Sequence, residues 1–301
     1  MAHHHSHSHA PADYGRAFAI GITLNLGFVL LEFGYGWLAN SLALIADAGH
    51  NLSDVAALVI AWGATILARR APTTTHTYGW RRSSILAALI NATLLLIAVG
   101  AIGLEALQRL RDPAPVAGGI VIWVAMVGII INTATALMFM RGREHDINIR
   151  GAFLHMAADA GVSLGVVIAG FIMLATGWTW VDPVVSLIIA GVILVSTWDL
   201  LRDSVNMALD AVPPGIDLTQ VDAYLRALPG IASIHDLHVW NMSTTEAALT
   251  AHLVAPDGAG DALLCQAADD LHDRFGIEHT TLQIELGDGD YDCRQAAEGS
   301  V

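Results

Sequence analysis

The sequence has no lysine, only two cysteines, and few charges of any kind. Charged residues make up 14% of its 301 positions, against about 25% in an ordinary soluble domain. With 54% hydrophobic residues and a mean hydropathy of +0.55, the composition excludes most soluble enzymes and any disordered protein. Two cysteines in this length cannot form a secreted disulfide framework. Without lysine no GxxxxGK[ST] phosphate loop can exist, and no HExxH zinc-hydrolase string occurs either. The net charge of −14 leaves no basic face for nucleic acid. The composition left is that of a polytopic membrane protein, and its acidity has to sit somewhere.

The charge is segregated. From Asp210 onward 16 acidic residues face three arginines, a balance of −13; the rest of the chain holds 12 acids and 11 arginines. The division falls at the AVPPG turn, Ala211 to Gly215, because paired prolines end helices and mark linkers. Three regions follow: a His-rich cytoplasmic tail over 1–16, a transmembrane domain over 17–210, and an acidic cytoplasmic domain over 211–301.

The apolar region reads as six segments, each near the roughly 20 residues that cross a bilayer as a helix. They lie near Ala17–Leu38, Leu42–Leu67, Ser84–Leu107, Gly118–Met140, Phe153–Leu174 and Pro183–Leu201. The first is not a cleavable signal: its flank is His-rich and no small-residue cleavage site follows. Arg69, Arg70, Arg81 and Arg82 fill the loop after segment two, and Arg141, Arg143 and Arg150 the loop after segment four. The odd loops carry only Arg109 and Arg111. By the positive-inside rule both termini face the cytoplasm, with a bacterial inner membrane as the expected location. In the acidic region, Asp217–Leu228 and Asp261–Phe275 read as helices, and Ile231–Trp240, Ala247–Ala255 and Thr280–Leu286 as strands. The fold class is thus a six-helix membrane domain followed by a small α+β domain of order αββαβ, helices covering one face of the sheet.

Segment two contains ADAGHNLSD and segment five LHMAAD. His50 and Asp54, and again His155 and Asp159, stand four residues apart and therefore stack on one helix face. An ionisable group at bilayer centre costs about 2.5–3.5 kcal/mol on insertion scales, so two such pairs need a purpose. Two imidazoles and two carboxylates form a complete tetrahedral set for Zn²⁺, although a thiolate-free set also suits Co²⁺ or Ni²⁺. The structural alternative is an interhelical hydrogen-bonded pair; the repeated spacing favours a metal. Asp47 reads first as a neighbour or pathway residue and second as a ligand. Asn25, Glu32, Asn132 and Asp182 read as interhelical hydrogen-bond partners or a water-lined wall.

These motifs resemble those of the cation diffusion facilitator family of divalent-metal transporters. The resemblance runs through GWLANSLALIADAGHNLSD, THTYGWRRSSILAALINA, FLHMAAD, WVDPVVSL and HDLHVWNMS, nearly the whole chain. It implies a homodimer of six-helix subunits in the lipid bilayer, each with a cytoplasmic metallochaperone-like domain, that exports Zn²⁺ in exchange for protons without a catalytic cofactor. It places the transport site at His50, Asp54, His155 and Asp159, a set associated with zinc preference; Co²⁺, Cd²⁺ and Ni²⁺ are further substrates to test. In the acidic domain it places zinc at His235, His252, His279 and Glu285, with Cys293 as a further ligand. Chemistry supports exchange independently, because Zn²⁺ needs neutral imidazole and ionised carboxylate, so protonation expels the metal.

Other histidines are weaker signals. The opening HHHSHSH is a metal-binding composition or a purification-tag remnant. His76 lies in the loop after segment two among Thr73, Trp80, Arg81 and Ser84, where family members often carry further ligands; that departure weakens a loop site. His238 and His272 read as structural, and Cys265 as core on an apolar helix face. Two further functions compete: a membrane metal sensor or scaffold that does not transport, and an intramembrane metallohydrolase. The latter needs an open coordination position and a general base, which a four-ligand set denies it. In a dimer, two acidic tails bring about 26 negative charges together, and bound cations would screen that repulsion. Zinc is therefore expected to shorten the distance between the two tails, measured by paired spin labels; an unchanged distance would refute it.

Overall fold

The computed structural model describes residues 15–68, 70–140 and 147–287. The His-rich start and Cys293 lie outside the described residues. Six long helices come first: α1 (Gly15–Ala39), α2 (Leu42–Ala68), α3 (Ser83–Arg111), α4 (Gly118–Phe139), α5 (Ile147–Thr176) and α6 (Val181–Ala208). Then follow α7 (Leu218–Arg226), β1 (Ser233–Asn241), β2 (Ala247–Val254), α8 (Asp261–Phe275) and β3 (Ile277–Glu285), the αββαβ order expected. Several of the long helices outrun their apolar windows, α5 and α6 the furthest. α5 starts at Ile147 rather than near Phe153, and α6 runs on to Ala208 rather than stopping near Leu201. Hydropathy marks the stretch that suits lipid, whereas the backbone ladder continues through polar residues such as Arg202 and Asp203.

Contacts divide the chain into two compact units, one from residues 1–59 and 91–198, the other from 60–90 and 199–301. In the first, α4 packs along α5 and α1 along α4. The core gathers Phe28, Leu44, Val121, Val166 and Ile193. Gly128 permits a close approach: a Cβ there would lie 2.7 Å from the Phe28 ring and 3.0 Å from Ser163 Oγ. Outward faces are apolar and exposed, as at Leu94, Ile97, Leu104, Trp123, Ile130, Ile188 and Val195. So extensive an apolar surface marks contact with something other than water. Among the described residues four helices are long and apolar enough to cross a membrane: α3, residues 118–138 of α4, residues 156–176 of α5, and α6.

The α1–α2 junction is held from three directions. Asn40 takes the left-handed conformation, φ 54°, which asparagine tolerates better than most residues. Arg109 on α3 donates to the Asn40 carbonyl at 2.7 Å, and the Asn40 amide donates to the Pro115 carbonyl at 3.2 Å. Asp182, fully buried at the start of α6, accepts from the Ser41 hydroxyl, from the Leu42 N–H at 2.8 Å and from the Ala43 N–H at 3.4 Å. A helix N-terminus exposes unpaired N–H groups and a positive dipole end; here a carboxylate from another helix satisfies both.

In the second unit the sheet order is β1-β2-β3, β1 antiparallel and β3 parallel to the central β2. Val221 and Leu225 of α7 and Ala267 and Leu271 of α8 cover one face, against Ile234, Val239, Leu249, Leu253 and Ile277. β3 begins at Ile277 and not at Thr280 as expected, because Gly276 ends α8 in the left-handed conformation, φ 67°, and the chain turns directly into the strand. Cys265 is exposed, not core: the buried stripe of α8 runs through Ala267 and Leu271, and Cys265 lies off it. The loop before α3 joins this unit, through Arg81 to Glu246 at 2.7 Å and Arg82 to Asp210 at 2.6 Å. Asp217 caps α7; the Gln220 side-chain amide at 2.9 Å and the Thr219 N–H at 2.9 Å hold its carboxyl below the usual carboxylate range. Burial first, and Asp270 at 2.7 Å second, push the Tyr224 phenol above its ordinary value.

Two outcomes are expected. Asp182→Ala should cost about 1–3 kcal/mol for each donor left buried and unpaired, read as a lower unfolding midpoint in detergent, with Asp182→Asn losing less. Because the folded-state pKa of Asp217 is depressed, its stabilisation is present above the ordinary carboxylate range and disappears as pH falls through the depressed value. Asp217→Ala should therefore lower the melting midpoint at neutral pH and converge with wild type in acid.

Candidate metal centres

Helix geometry builds the first centre. On α2, His50 and Asp54 are one turn apart, with His50 Nε2 3.9 Å from Asp54 Oδ2. From α5, Asp159, only 1% exposed, brings Oδ1 to 3.3 Å from the same nitrogen. One donor atom from each of the three lies within 4.8 Å of the other two. His155 stands one turn before Asp159 on α5; its side chain is outside the described residues. A histidine and two carboxylates from facing helices present three of the four donors of a tetrahedral zinc site.

Asp47 is buried beside this centre but is not one of the three. Its Oδ2 accepts from Ser163 Oγ at 3.3 Å, and Asn51 Nδ2 donates to Glu32 at 3.1 Å. Glu32 and Asp47 are both fully buried. Glu32 and Asp182 thus carry the interhelical bonding expected of them. Asn132 does not: fully buried on α4, its amide has no hydrogen-bond partner among the described residues.

Strand alternation builds the second centre. On β2, Ala251 and Leu253 point into the core, so His252 faces away from the helices. β1 pairs His235 with His252, and β3 pairs Gln283 with His252, which sets Glu285 on the same face two residues further on. The His235 and His252 rings are 5.0 Å apart. His252 Nδ1 lies 2.8 Å from Glu285 Oε1, and His235 Nε2 lies 3.4 Å from Glu285 Oε2. These three again place donor atoms within 4.8 Å of one another.

The remaining sequence-derived residues are elsewhere. His279 pairs with Ala248 at the far end of β3, exposed, with Tyr78 edge-on at 5.5 Å; the structure does not bring it to the triad. His76 is exposed, stacked on Trp80 at 4.3 Å and bonded to Thr75 at 3.1 Å; it belongs to neither cluster. His272 is exposed beside Glu278 at 3.4 Å. Sequence reasoning passed over Asp236, whose Oδ2 is 3.6 Å from His252 Nε2 and whose Oδ1 is 3.0 Å from His238 Nε2. Its adjacency to His235 in HDLH was the available signal.

Imidazole–carboxylate triads, one inside an apolar helical unit and one on a sheet, define a membrane protein that handles divalent cations. Residues 18–207 match the cation efflux transmembrane domain, and residues 213–286 match the cytoplasmic domain of cation efflux proteins. The zinc transporter ZitB of Escherichia coli (strain K12) is 41% identical over 293 residues, covering 95% of this chain and 93% of that protein. The metal cation efflux system protein CzcD of Cupriavidus metallidurans is 37% identical over 296 residues, covering 98% and 92%. A cadmium, cobalt and zinc/H(+)-K(+) antiporter of Bacillus velezensis is 33% identical over 298 residues, covering 97% and 94%. The chain belongs to the cation efflux family, a family of multi-pass membrane transporters.

The geometry separates the sheet histidines. His252→Ala is expected to remove a tightly bound zinc from the purified chain, whereas His279→Ala leaves the bound-zinc count unchanged, both read by equilibrium dialysis with metal analysis.

Proposed function

We propose that this chain is a secondary transporter that exports divalent cations, chiefly Zn²⁺, from the cytoplasm in exchange for protons by alternating access. The observation that carries the reading is the convergence of His50, Asp54 and Asp159 within 4.8 Å inside an apolar helical unit. His155, one turn along α5 from Asp159, is the fourth donor. α1 and α2 join the four apolar helices to make six spans. Both termini face the cytoplasm of a bacterial inner membrane, and the functional unit is a homodimer. The domain limits 1–16, 17–210 and 211–301 follow from the charge division and the Pro213–Pro214 turn.

The site exchanges its cargoes because they exclude one another. Zn²⁺ takes the lone pair of a neutral imidazole and the charge of an ionised carboxylate; protons occupy the same positions. A site open to the cytoplasm loads metal, and one open to the other, more acidic side loads protons and releases it. The inward proton gradient then supplies the driving force, and no nucleotide is needed. His235, His252 and Glu285 form a cytoplasmic zinc site that reports metal supply to the dimer.

Zinc flux in proteoliposomes under an imposed pH gradient tests this reading. Wild type should move Zn²⁺ against its gradient, and both Asp54→Ala and Asp159→Ala should abolish that movement. Flux that persists in both variants would overturn the site; no proton-coupled flux in wild type would overturn the transport reading. Repeating the assay with Co²⁺, Cd²⁺ and Ni²⁺ sets the substrate range.

A further inference from the structure

Between the pairs His235↔His252 and His238↔Thr250, β1 holds two residues where β2 holds one. Ile234, Leu237 and Val239 all face the helices, so the extra residue of this bulge is Asp236. It adopts φ 51°, a left-handed conformation that side chains other than glycine rarely take and that aspartate tolerates better than most. Bulges re-aim side chains, often beside functional sites. Here the bulge keeps His235 and His238 on the face away from the helices and drives a carboxylate between them. The Asp236 side chain is 9% exposed.

That carboxylate stands behind His252, just beyond direct hydrogen-bonding distance, while its other oxygen lies 3.0 Å from His238 Nε2. One ring nitrogen, Nδ1, faces Glu285 Oε1 at 2.8 Å; the other, Nε2, faces Asp236 Oδ2 at 3.6 Å. A neutral imidazole has one lone pair and one N–H. If Nδ1 turns its lone pair to a cation shared with His235 and Glu285, the proton must sit on Nε2, directed at Asp236. A carboxylate in that place favours, by its charge, the tautomer with the proton on Nε2 and, when the N–H closes on it, makes the lone pair a better donor. A second cation on the Asp236 side is excluded by the same arithmetic of lone pairs, since His252 cannot ligate through both nitrogens while neutral. His238 and Asp236 alone offer only two donors, fewer than the four that zinc takes.

We propose that Asp236 is a positioning residue for the cytoplasmic centre: by facing Nε2 of His252 it presets that ring for cation capture, and the left-handed bulge delivers it there. The proposal rests on the reading of His235, His252 and Glu285 as a zinc site.

Glycine separates a positioning role from a merely structural one, because glycine relieves the left-handed backbone while deleting the carboxylate. The measurement is Zn²⁺ affinity, by competition with a chromophoric chelator, in the full chain. The background carries Asp54→Ala and Asp159→Ala, with the five N-terminal histidines changed to serine, so that membrane and tail zinc do not contribute. Asp236→Gly should keep or raise the unfolding midpoint yet weaken zinc binding by about 10–100-fold, the usual cost of losing such a partner. Asp236→Asn, which keeps the shape and a weaker acceptor, should fall between. Wild-type affinity in both variants would overturn the proposal. In the same background, His252→Ala must abolish the tight binding; if it does not, the zinc-site reading itself fails and the proposal goes with it.

Discussion

Charge placed inside an apolar interior must find a partner there, and this constraint organises the membrane unit. A lone buried carboxylate is expensive enough to oppose folding, so each one in this unit is tied to something. Asp182 takes the exposed N–H groups at the start of α2. Glu32 takes the Asn51 amide, Asp47 takes Ser163, and Asp159 takes His50. The result is a bundle whose helices are keyed to one another by polar contacts. Apolar side chains alone would not do this, since hydrocarbon against lipid has little preference for one partner over another.

The two candidate metal centres use the same side-chain chemistry in opposite settings. In the helical unit, a turn of helix spaces His50 from Asp54, and Asp159 is buried. On the sheet, cross-strand pairing spaces them, and the triad lies on the face turned away from the domain core. That core is closed by Leu225, Leu249, Leu253 and Leu271 without help from any ligand residue. The cytoplasmic domain therefore has the means to stay folded when its centre is empty, which a domain needs if it is to respond to metal and not simply require it. The acidic balance of −13 from Asp210 onward gives this part of the chain a net field that attracts cations.

What could be read from the sequence was whatever depends on near neighbours. His50 and Asp54 are one turn apart whatever the rest of the chain does, and the αββαβ order follows from local pattern. Long-range pairing was not readable. The partners of Asp182 lie 140 residues away, so its motif could be noticed but its use could not. His279 and Glu285 are six residues apart on one strand, about 20 Å along it, and only the register of β3 on β2 decides which one meets His252. The bulge that brings Asp236 between the histidines of the outer face is likewise a matter of pairing, one residue too many on β1, and no local pattern announces it. Cys265 was misplaced because an apolar neighbourhood in sequence does not say which stripe of a helix is buried.

The clasp at the head of α2 has a mechanical consequence. At about 1.5 Å of rise per residue, Asp54 stands some 18 Å down the helix from Leu42. α2 is thus a rod fastened at one end, with His50 and Asp54 well out along its length. A tilt of about 10° about the fastening carries Asp54 roughly 3 Å sideways on that lever arm, more than the length of a zinc–oxygen bond. A small rotation about the Asp182 clasp would therefore be enough to bring His50 and Asp54 up to Asp159 or to carry them away from it.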